Sequence, residues 1–166
     1  NRIKNEASSR GSSMHSYIEQ YLLGKLNLDL LEEEERSKKM ANQIIDNGLK
    51  NKLTEVWGAE ATVYFPGKYA GTADCIGIYD GKESILDFKQ SNKPKKEEYI
   101  EDYFLQIGAY SLAHNTVYNS RIIQGVILLC TVDGLFQEFK IKENELTNFQ
   151  NKFLERVEQF YNKFRK

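Results

Sequence analysis

The stretch GTADCIGIYDGKESILDFKQ, residues 71–90, consists of two apolar runs on either side of Asp80-Gly81. A two-residue Asp-Gly loop between apolar runs is a strong short-range signal for a β-hairpin. With Asp80 and Gly81 as the loop, Asp74 faces Asp87 across the hairpin, and directly opposed side chains have Cβ atoms about 4.5–5.5 Å apart. The sequence therefore predicts a hairpin in which two carboxylates face each other.

A lysine joins this acidic pair. Lys89 follows Asp87 by two residues, and side chains two residues apart on a strand share a face. Isoleucines of the hairpin share that face, so the charges are at least half buried. Opposed, buried carboxylates are unfavourable alone. A divalent cation such as Mg²⁺ or Mn²⁺ would remove that cost, because hard oxygen donors at this separation suit these ions. The Lys89 ammonium could then orient or deprotonate a water, or stabilise developing negative charge.

Other interpretations of this hairpin remain open. The same residues could form a buried Asp–Lys ion pair with a spare aspartate. A change of one residue in the turn register would place Asp74 and Asp87 on opposite faces of the sheet. The metal interpretation therefore depends on the pairing of these strands.

The rest of the chain predicts helices interleaved with hairpins. Residues 10–24 and 95–115 carry apolar side chains at helical spacing, and 59–71 alternate around a Pro-Gly turn. A second Asp-Gly turn joins two strands after residue 120. The C-terminal run has apolar residues at core spacing, namely Leu146, Phe149, Phe153, Val157, Phe160 and Phe164. This order predicts one α/β (α+β) domain, 1–166, with a central mixed sheet flanked by helices.

Residues 25–54 interrupt the path from the first helix to the first strand. They are highly charged, with apolar residues clustered at the ends, and we predict one or two exposed helices outside the core. This insert could be an arch or lid over the site, through which a single strand threads, or a solvated helical decoration.

Composition narrows the class of protein. The net charge is −1, so any nucleic-acid surface must be local, as in the basic segment 89–96. Cys75 and Cys130 lie in apolar runs, which indicates buried thiols in a reducing compartment. No apolar run approaches the roughly 20 residues that a bilayer needs, so we predict no membrane partner. We expect an intracellular monomer, in bacterial or phage-infected cytoplasm or, alternatively, in a mitochondrion.

The motifs together resemble the PD-(D/E)XK nuclease superfamily, in its RecB-like branch. An Asp, about a dozen residues and then Asp-x-Lys form its signature. An upstream Gly-x-x-x-His-x-x-x-Glu helix and a downstream Gln-x-x-x-Tyr helix are typical of the branch. In this chain the matching residues are Asp74, Asp87, Phe88, Lys89, Gly11, His15, Glu19, Gln106 and Tyr110. Residues 71–95 look especially like the mitochondrial genome maintenance exonucleases and their phage and bacterial relatives. Ala73 stands where the signature has proline.

The resemblance implies a metal-dependent deoxyribonuclease with a restriction-endonuclease-like core. Asp74, Asp87, the Phe88 carbonyl and His15 would bind one or two Mg²⁺ or Mn²⁺ ions. Lys89 would be catalytic. Residues with less certain roles are Glu60 near the metal, Glu19 beside His15, and Gln106, Tyr110, Ser91 and Lys93 toward DNA.

The sequence is compatible with three functions. The resemblance favours an exonuclease that prefers single-stranded DNA with free ends. A structure-selective endonuclease, such as a junction resolvase, could use the same fold. A nucleic-acid-binding module with an inactive site is the non-enzymatic alternative, which the intact Asp, Asp and Lys set disfavours.

Overall fold

The computed structural model describes residues 13–24 and 35–164. Helix α1 spans 13–22 and ends at Gly24, whose φ of +66° is typical of a helix stop. Helix α2, Glu35–Ile44, continues through a π-helical turn, Ile45–Leu49, and one further turn, Lys50–Lys52. The remaining elements are β1 (Leu53–Phe65), β2 (Tyr69–Tyr79), β3 (Lys82–Ser91), a 3₁₀ turn (Glu97–Tyr99), α3 (Glu101–Tyr118), β4 (Gln124–Thr131), β5 (Phe136–Ile141) and α4 (Glu143–Asn162).

The strands form a five-stranded mixed sheet in the order β1-β2-β3-β4-β5. Only β3 and β4 pair in parallel, because the α3 crossover connects them; the other neighbours are antiparallel. In the β2–β3 hairpin Tyr79 pairs with Lys82, and Asp80 and Gly81 have φ of +50° and +76°. The predicted two-residue turn, its register and the mixed sheet are confirmed.

A separate hydrophobic core lies on each face of the sheet. Helices α1 and α2 pack on one face, where Met14, Tyr17 and Ile18 of α1 are buried. Helices α3 and α4 pack on the other face, beneath which Ile76 and Ile85 of the hairpin are buried. The edge strand β1 remains largely exposed.

The described part of the charged insert belongs to the core. Met40, Ala41, Ile44, Ile45 and Leu49 are buried against the sheet. The prediction of exposed helices is therefore wrong over 35–49, because these apolar residues recur at helical spacing and the charged residues occupy the opposite side. Residues 25–34 lie outside the described residues, and for them an arch or lid stays a prediction.

The C-terminal helix also differs from the prediction at its end. Leu146 and Val157 of α4 are buried, whereas Phe160 is 56% and Phe164 73% exposed. The helical spacing of apolar residues continues past the part of α4 that packs on the sheet. Phe160 and Phe164 therefore stay exposed.

A polar network closes the turn end of the hairpin. Glu138 of β5 accepts hydrogen bonds from Lys52, at 2.8 Å, and from the Tyr79 hydroxyl, and Lys140 lies 3.7 Å away. Lys140 also pairs with Asp80 at 2.9 Å. Burial raises the pKa of Glu138, but the bonds from Lys52 and Tyr79 and the charges of Lys52 and Lys140 hold it below its ordinary value.

Two further expectations can be compared with the structure. Cys75 and Cys130 are buried free thiols, as predicted. Among the helices that the structure describes, none is long and apolar enough to cross a membrane.

Candidate active site

The two acids of the hairpin lie where its strands separate. Counted from the turn, the β2–β3 pairing ends at Cys75 and Leu86. One residue further, an Asp74 oxygen takes the place of a backbone acceptor, because the Phe88 N–H donates to Asp74 Oδ2 at 2.8 Å. Asp74 and Asp87 lie close enough for each to shift the pKa of the other. Both carboxylates therefore lie at the point where the two strands separate.

Lys89 lies beside the acids as predicted. Its Nζ is 2.8 Å from Asp87 Oδ2 and donates to Gln106 Oε1 of α3 at 3.3 Å. The Tyr103 ring lies under the ammonium, with its centroid 4.7 Å from Nζ. The lysine is thus fixed from both the strand and the helix.

His15 reaches the same point from the other face of the sheet. Its Nε2 donates to the Phe88 carbonyl at 2.6 Å and lies 3.4 Å from Asp74 Oδ2. Met14, Tyr17 and Ile18 anchor α1 in the core, so the histidine is held by packing as well as by this bond. The structure therefore brings together all four candidate ligands named from the sequence.

Glu60 borders the cluster from the edge strand. It stands opposite Asp74, but the β1–β2 ladder skips this pair, and Glu60 has a φ of +47°. Partial burial and the charges of Asp74 and Glu19 raise the pKa of Glu60, and His15 opposes them. Glu60 is therefore close enough to Asp74, His15 and Glu19 to feel their charges.

Gln106 and Tyr110, the Gln-x-x-x-Tyr residues of α3, extend the chain of hydrogen bonds that begins at Lys89. Gln106 Nε2 donates to the Tyr110 hydroxyl at 3.1 Å. The Tyr110 ring lies against the backbone of Gly71, where an added Cβ would be 2.7 Å from the Tyr110 hydroxyl oxygen. Glycine at this position permits the close approach, because it has no side chain to meet the ring. Tyr103 was missed, although its position three residues before Gln106 places it on the same helix face.

Burial and mutual charge set the protonation of this cluster. Burial and the neighbouring Asp74 raise the pKa of Asp87 to about 7, against the opposing charge of Lys89. Burial also acts to raise the pKa of Asp74, but hydrogen bonds from His15 and Asp87 and the Phe88 N–H hold it below its ordinary value. Burial acts to lower the pKa of Lys89, yet the charge of Asp87 keeps it raised. The lysine is therefore an ammonium in this arrangement.

The donor set fits a hard divalent cation. Asp87 is 8% exposed, and its Oδ2 receives no hydrogen bond of ordinary geometry from the described residues, although Lys89 is near. The Lys89 ammonium, 2.8 Å from this oxygen, is its positive partner, and a second cation would further offset the charge of two neighbouring buried carboxylates. Within 13–24 and 35–164, no three His, Cys, Asp or Glu side chains already surround a common metal position. The converging atoms here include a backbone carbonyl, and His15 Nε2 must first release its proton because a nitrogen that donates a hydrogen bond cannot ligate.

The remaining candidates lie outside this cluster. Ser91 is buried, and its hydroxyl donates to the Lys93 carbonyl at 2.6 Å, so it stabilises its own turn. Lys93 is exposed on the basic segment, whose Lys95 backbone is held by Gln137 through two hydrogen bonds of 2.8 and 2.9 Å. Contact of Ser91 and Lys93 with DNA stays a prediction. Gly11 lies outside the described residues.

An open cavity of about 590 Å³ adjoins the catalytic candidates. Lys89, Tyr103, Gln106 and Tyr110 line it, together with Arg156 of α4. Arg156 lies 3.8 Å from the exposed Asp102 and keeps most of its side chain in solvent. An extended, anionic substrate could therefore approach Lys89 along α3 and meet a second cation.

Comparisons with known proteins give a consistent result. No family model matches the chain. The chain is 32% identical over 165 residues to mitochondrial genome maintenance exonuclease 1 of Xenopus tropicalis, which covers 93% of this chain and 45% of that protein. The Mus musculus protein of the same name is 28% identical over 164 residues, covering 93% of this chain and 46% of that protein. The chain thus spans less than half the length of these curated relatives.

A solved structure shares the fold. The crystal structure of a provisionally named exonuclease from Eubacterium rectale matches with a TM-score of 0.56 at 14% identity, covering 95% of this chain and 69% of that chain. Together with the sequence relatives, this match confirms the predicted resemblance to PD-(D/E)XK exonucleases and the predicted fold class.

Proposed function

We propose that this chain is a metal-dependent DNA exonuclease that hydrolyses phosphodiester bonds and prefers single strands with free ends. The observation that carries the proposal is the convergence of Asp74, Asp87, His15, the Phe88 carbonyl and Lys89 at the separation of β2 and β3. The names of the sequence relatives support exonuclease activity.

The candidate ligands offer mostly hard oxygen donors, which suit Mg²⁺ or Mn²⁺. Asp74, Asp87, the Phe88 carbonyl and His15 would hold the ion, with Glu60 near enough to add a carboxylate. When bound, such an ion lowers the pKa of a coordinated water and neutralises charge on phosphate oxygens. Asp87 then gains a second positive partner beside Lys89.

Lys89 contributes charge rather than a base in this proposal. Its raised pKa keeps it protonated, so its ammonium donates to a phosphate oxygen and stabilises negative charge that develops during attack. The Tyr103 ring and Gln106 hold that ammonium beside Asp87. Precise orientation matters because misplacement of a reacting group by about 1 Å can cost about 10²-fold in rate.

A direct assay tests the activity. The chain is incubated with end-labelled single-stranded and double-stranded DNA in Mg²⁺ or Mn²⁺, with and without EDTA. We expect stepwise release of nucleotides or short products from single strands and no release in EDTA. Product from four-way junctions, with none from ends, would favour the endonuclease. Binding without product under all conditions would favour the non-enzymatic module.

Matched variants test the residue roles. We expect Asp74→Asn, Asp87→Asn and Lys89→Ala each to lower the rate at least about 10²–10³-fold with the fold intact by circular dichroism. Asp80→Asn, at the turn of the same hairpin, and Lys82→Ala, at the exposed start of β3, are the controls and should retain activity. Lys89→Ala at the wild-type rate would contradict the assigned chemistry.

End dependence and assembly have their own tests. Linear and circular single strands of equal length are compared, and threading through an arch at 25–34 predicts cleavage of the linear form alone. Solution mass by light scattering tests the expected monomer. The relatives' names refer to mitochondria, and a tagged full-length protein imaged in its host distinguishes that location from a bacterial or phage-infected cytoplasm.

A further inference from the structure

A second cavity lies on the edge of the sheet, away from Lys89. It measures about 380 Å³ and is formed by β1 and the end of α3. Two of its lining residues are large and unusually open, since Trp57 is 44% and Tyr118 63% exposed. Aromatic residues left exposed around one cavity indicate a binding surface rather than unfinished packing.

The rings around this cavity are held in place. His114 and Tyr118 of α3 contact each other with ring centroids 4.7 Å apart. His114 Nδ1 and the Ser120 hydroxyl are 2.6 Å apart, and Ser120 in turn donates to Asn115 at 2.9 Å. From the strand side, Trp57 Nε1 donates to Glu55 at 3.0 Å. The cavity therefore has ordered aromatic sides and needs little rearrangement to accept a flat ligand.

The chemistry of the cavity fits a neutral heteroaromatic ring. Its floor is formed by the buried Val63 and Ile76, and Ser120 and Thr62 offer polar groups at the rim. Burial lowers the pKa of His114, so its imidazole is neutral near pH 7 and the cavity presents no cation to a phosphate. Aromatic sides with a polar rim are the features that stack a nucleobase.

The location connects this cavity to the candidate active site. Trp57 precedes Glu60 by three residues on β1, a distance of about 10 Å along a strand. Ile76 of the floor follows Asp74 by two residues on β2. A strand whose phosphate lies at Asp74 and Asp87 could therefore extend along β1 into the cavity.

We propose that Trp57 and Tyr118 form a base-stacking subsite for a nucleotide near the scissile phosphate of single-stranded DNA. The inference rests on the proposed function and names how the same substrate is held. It assigns the aromatic edge of the sheet to recognition of unpaired bases, which explains a preference for single strands without reading of sequence.

Trp57 is the only tryptophan of the chain, so it reports on this site directly. The wild-type protein is titrated in EDTA with an unlabelled oligothymidylate, while a labelled copy measures binding by anisotropy. We expect quenching of Trp57 emission with the same midpoint as the anisotropy change. Binding that leaves Trp57 emission unchanged overturns the subsite. So does an emission change that depends on protein concentration without DNA, which would indicate a second copy in the cavity.

Variants then identify the contacted base. Trp57→Ala should raise the Kd for the oligonucleotide about tenfold and Trp57→Phe much less, because phenylalanine keeps a ring. Tyr64→Ala is the matched control, as Tyr64 is an exposed aromatic residue of β1 outside the cavity lining. A single abasic position moved along the oligonucleotide should weaken wild-type binding at one place, and Trp57→Ala should abolish that sensitivity. Equal abasic profiles in both proteins overturn the inference.

Two safeguards keep the outcomes separate. Thermal unfolding of each variant checks the fold, and Tyr118→Ala tests the subsite from the helix side if Trp57→Ala unfolds. Metal-dependent hydrolysis together with Trp57 emission that does not change on DNA binding overturns the subsite alone. If the wild-type chain neither binds nor cleaves any oligonucleotide, the proposed function and the subsite fail together.

Discussion

Gly71 gives the sharpest test of how the helix α3 controls Lys89. In a Gly71→Ala variant, the new Cβ would lie 2.7 Å from Oη and 2.8 Å from Cζ of Tyr110. Relaxed contacts between such atoms are about 3.5–4.0 Å, so the ring must move by about 1 Å. Overpacking of this kind costs about 1–3 kcal/mol of unfolding free energy.

The displacement should also reach the chemistry. Tyr110 is hydrogen-bonded to Gln106, and Gln106 accepts from Lys89. We therefore expect kcat for hydrolysis of single-stranded DNA to fall about 10- to 100-fold, with a smaller change in KM.

Urea unfolding and single-turnover hydrolysis measure the two effects of Gly71→Ala. The control is a double-mutant cycle with Tyr110→Ala, which removes the ring that the new methyl group meets. In the Tyr110→Ala background, Gly71→Ala should cost little stability, giving a coupling of about 1–3 kcal/mol. Additive stability changes, or a wild-type kcat in the single variant, would refute the reasoning.

Three other predictions address the charged groups. Tyr103→Leu should lower kcat about tenfold while Tyr103→Phe retains it, because the ring face holds the Lys89 ammonium. Single-turnover assays measure both variants, and an equal loss of kcat in the two would contradict this role of the ring. Glu138→Gln should lower the unfolding free energy by about 1–3 kcal/mol at pH 7. The folded pKa of Glu138 is depressed, so its stabilisation is present above the unfolded pKa and is lost as pH falls through the folded pKa. Urea curves of the variant and the wild type should therefore converge on acidification through that folded pKa. A gap that stays constant with pH would argue against the ion pairs. Adding Mg²⁺ or Mn²⁺ at about 100 times its Kd should stabilise the wild type by about 2.7 kcal/mol, and EDTA should reverse this; an equal rise in Tm for Asp87→Asn would exclude the proposed ligand.

Local signals account for the part of the fold that could be predicted. The Asp80-Gly81 turn determines the register of the β2–β3 hairpin because a two-residue loop leaves one pairing. That register was enough to bring Asp74, Asp87 and Lys89 together, since side-chain alternation follows from it. The separation of the strands beyond Cys75 was not predictable, because it accompanies contacts of the Phe88 backbone with Asp74 and with His15 of α1 that no local pattern reveals.

Long-range packing explains what the sequence did not reveal. The many charged residues of α2 predicted an exposed helix, but Met40 and Ile44 are buried against a sheet whose strands all follow α2 in the sequence. The stripe of α4 continued regularly to Phe164, although the sheet ends earlier. The cavity between Trp57 and Tyr118 joins residues from a strand and a helix end that no local pattern connects.

The backbone at Glu60 has a consequence for how this chain can change. A residue other than glycine at positive φ costs of order 1–3 kcal/mol, so a glycine there should give a more heat-resistant protein. The same exchange would delete a carboxylate beside Asp74. If Glu60 adds a carboxylate to the proposed metal site, thermal stability and metal affinity would favour different residues at position 60.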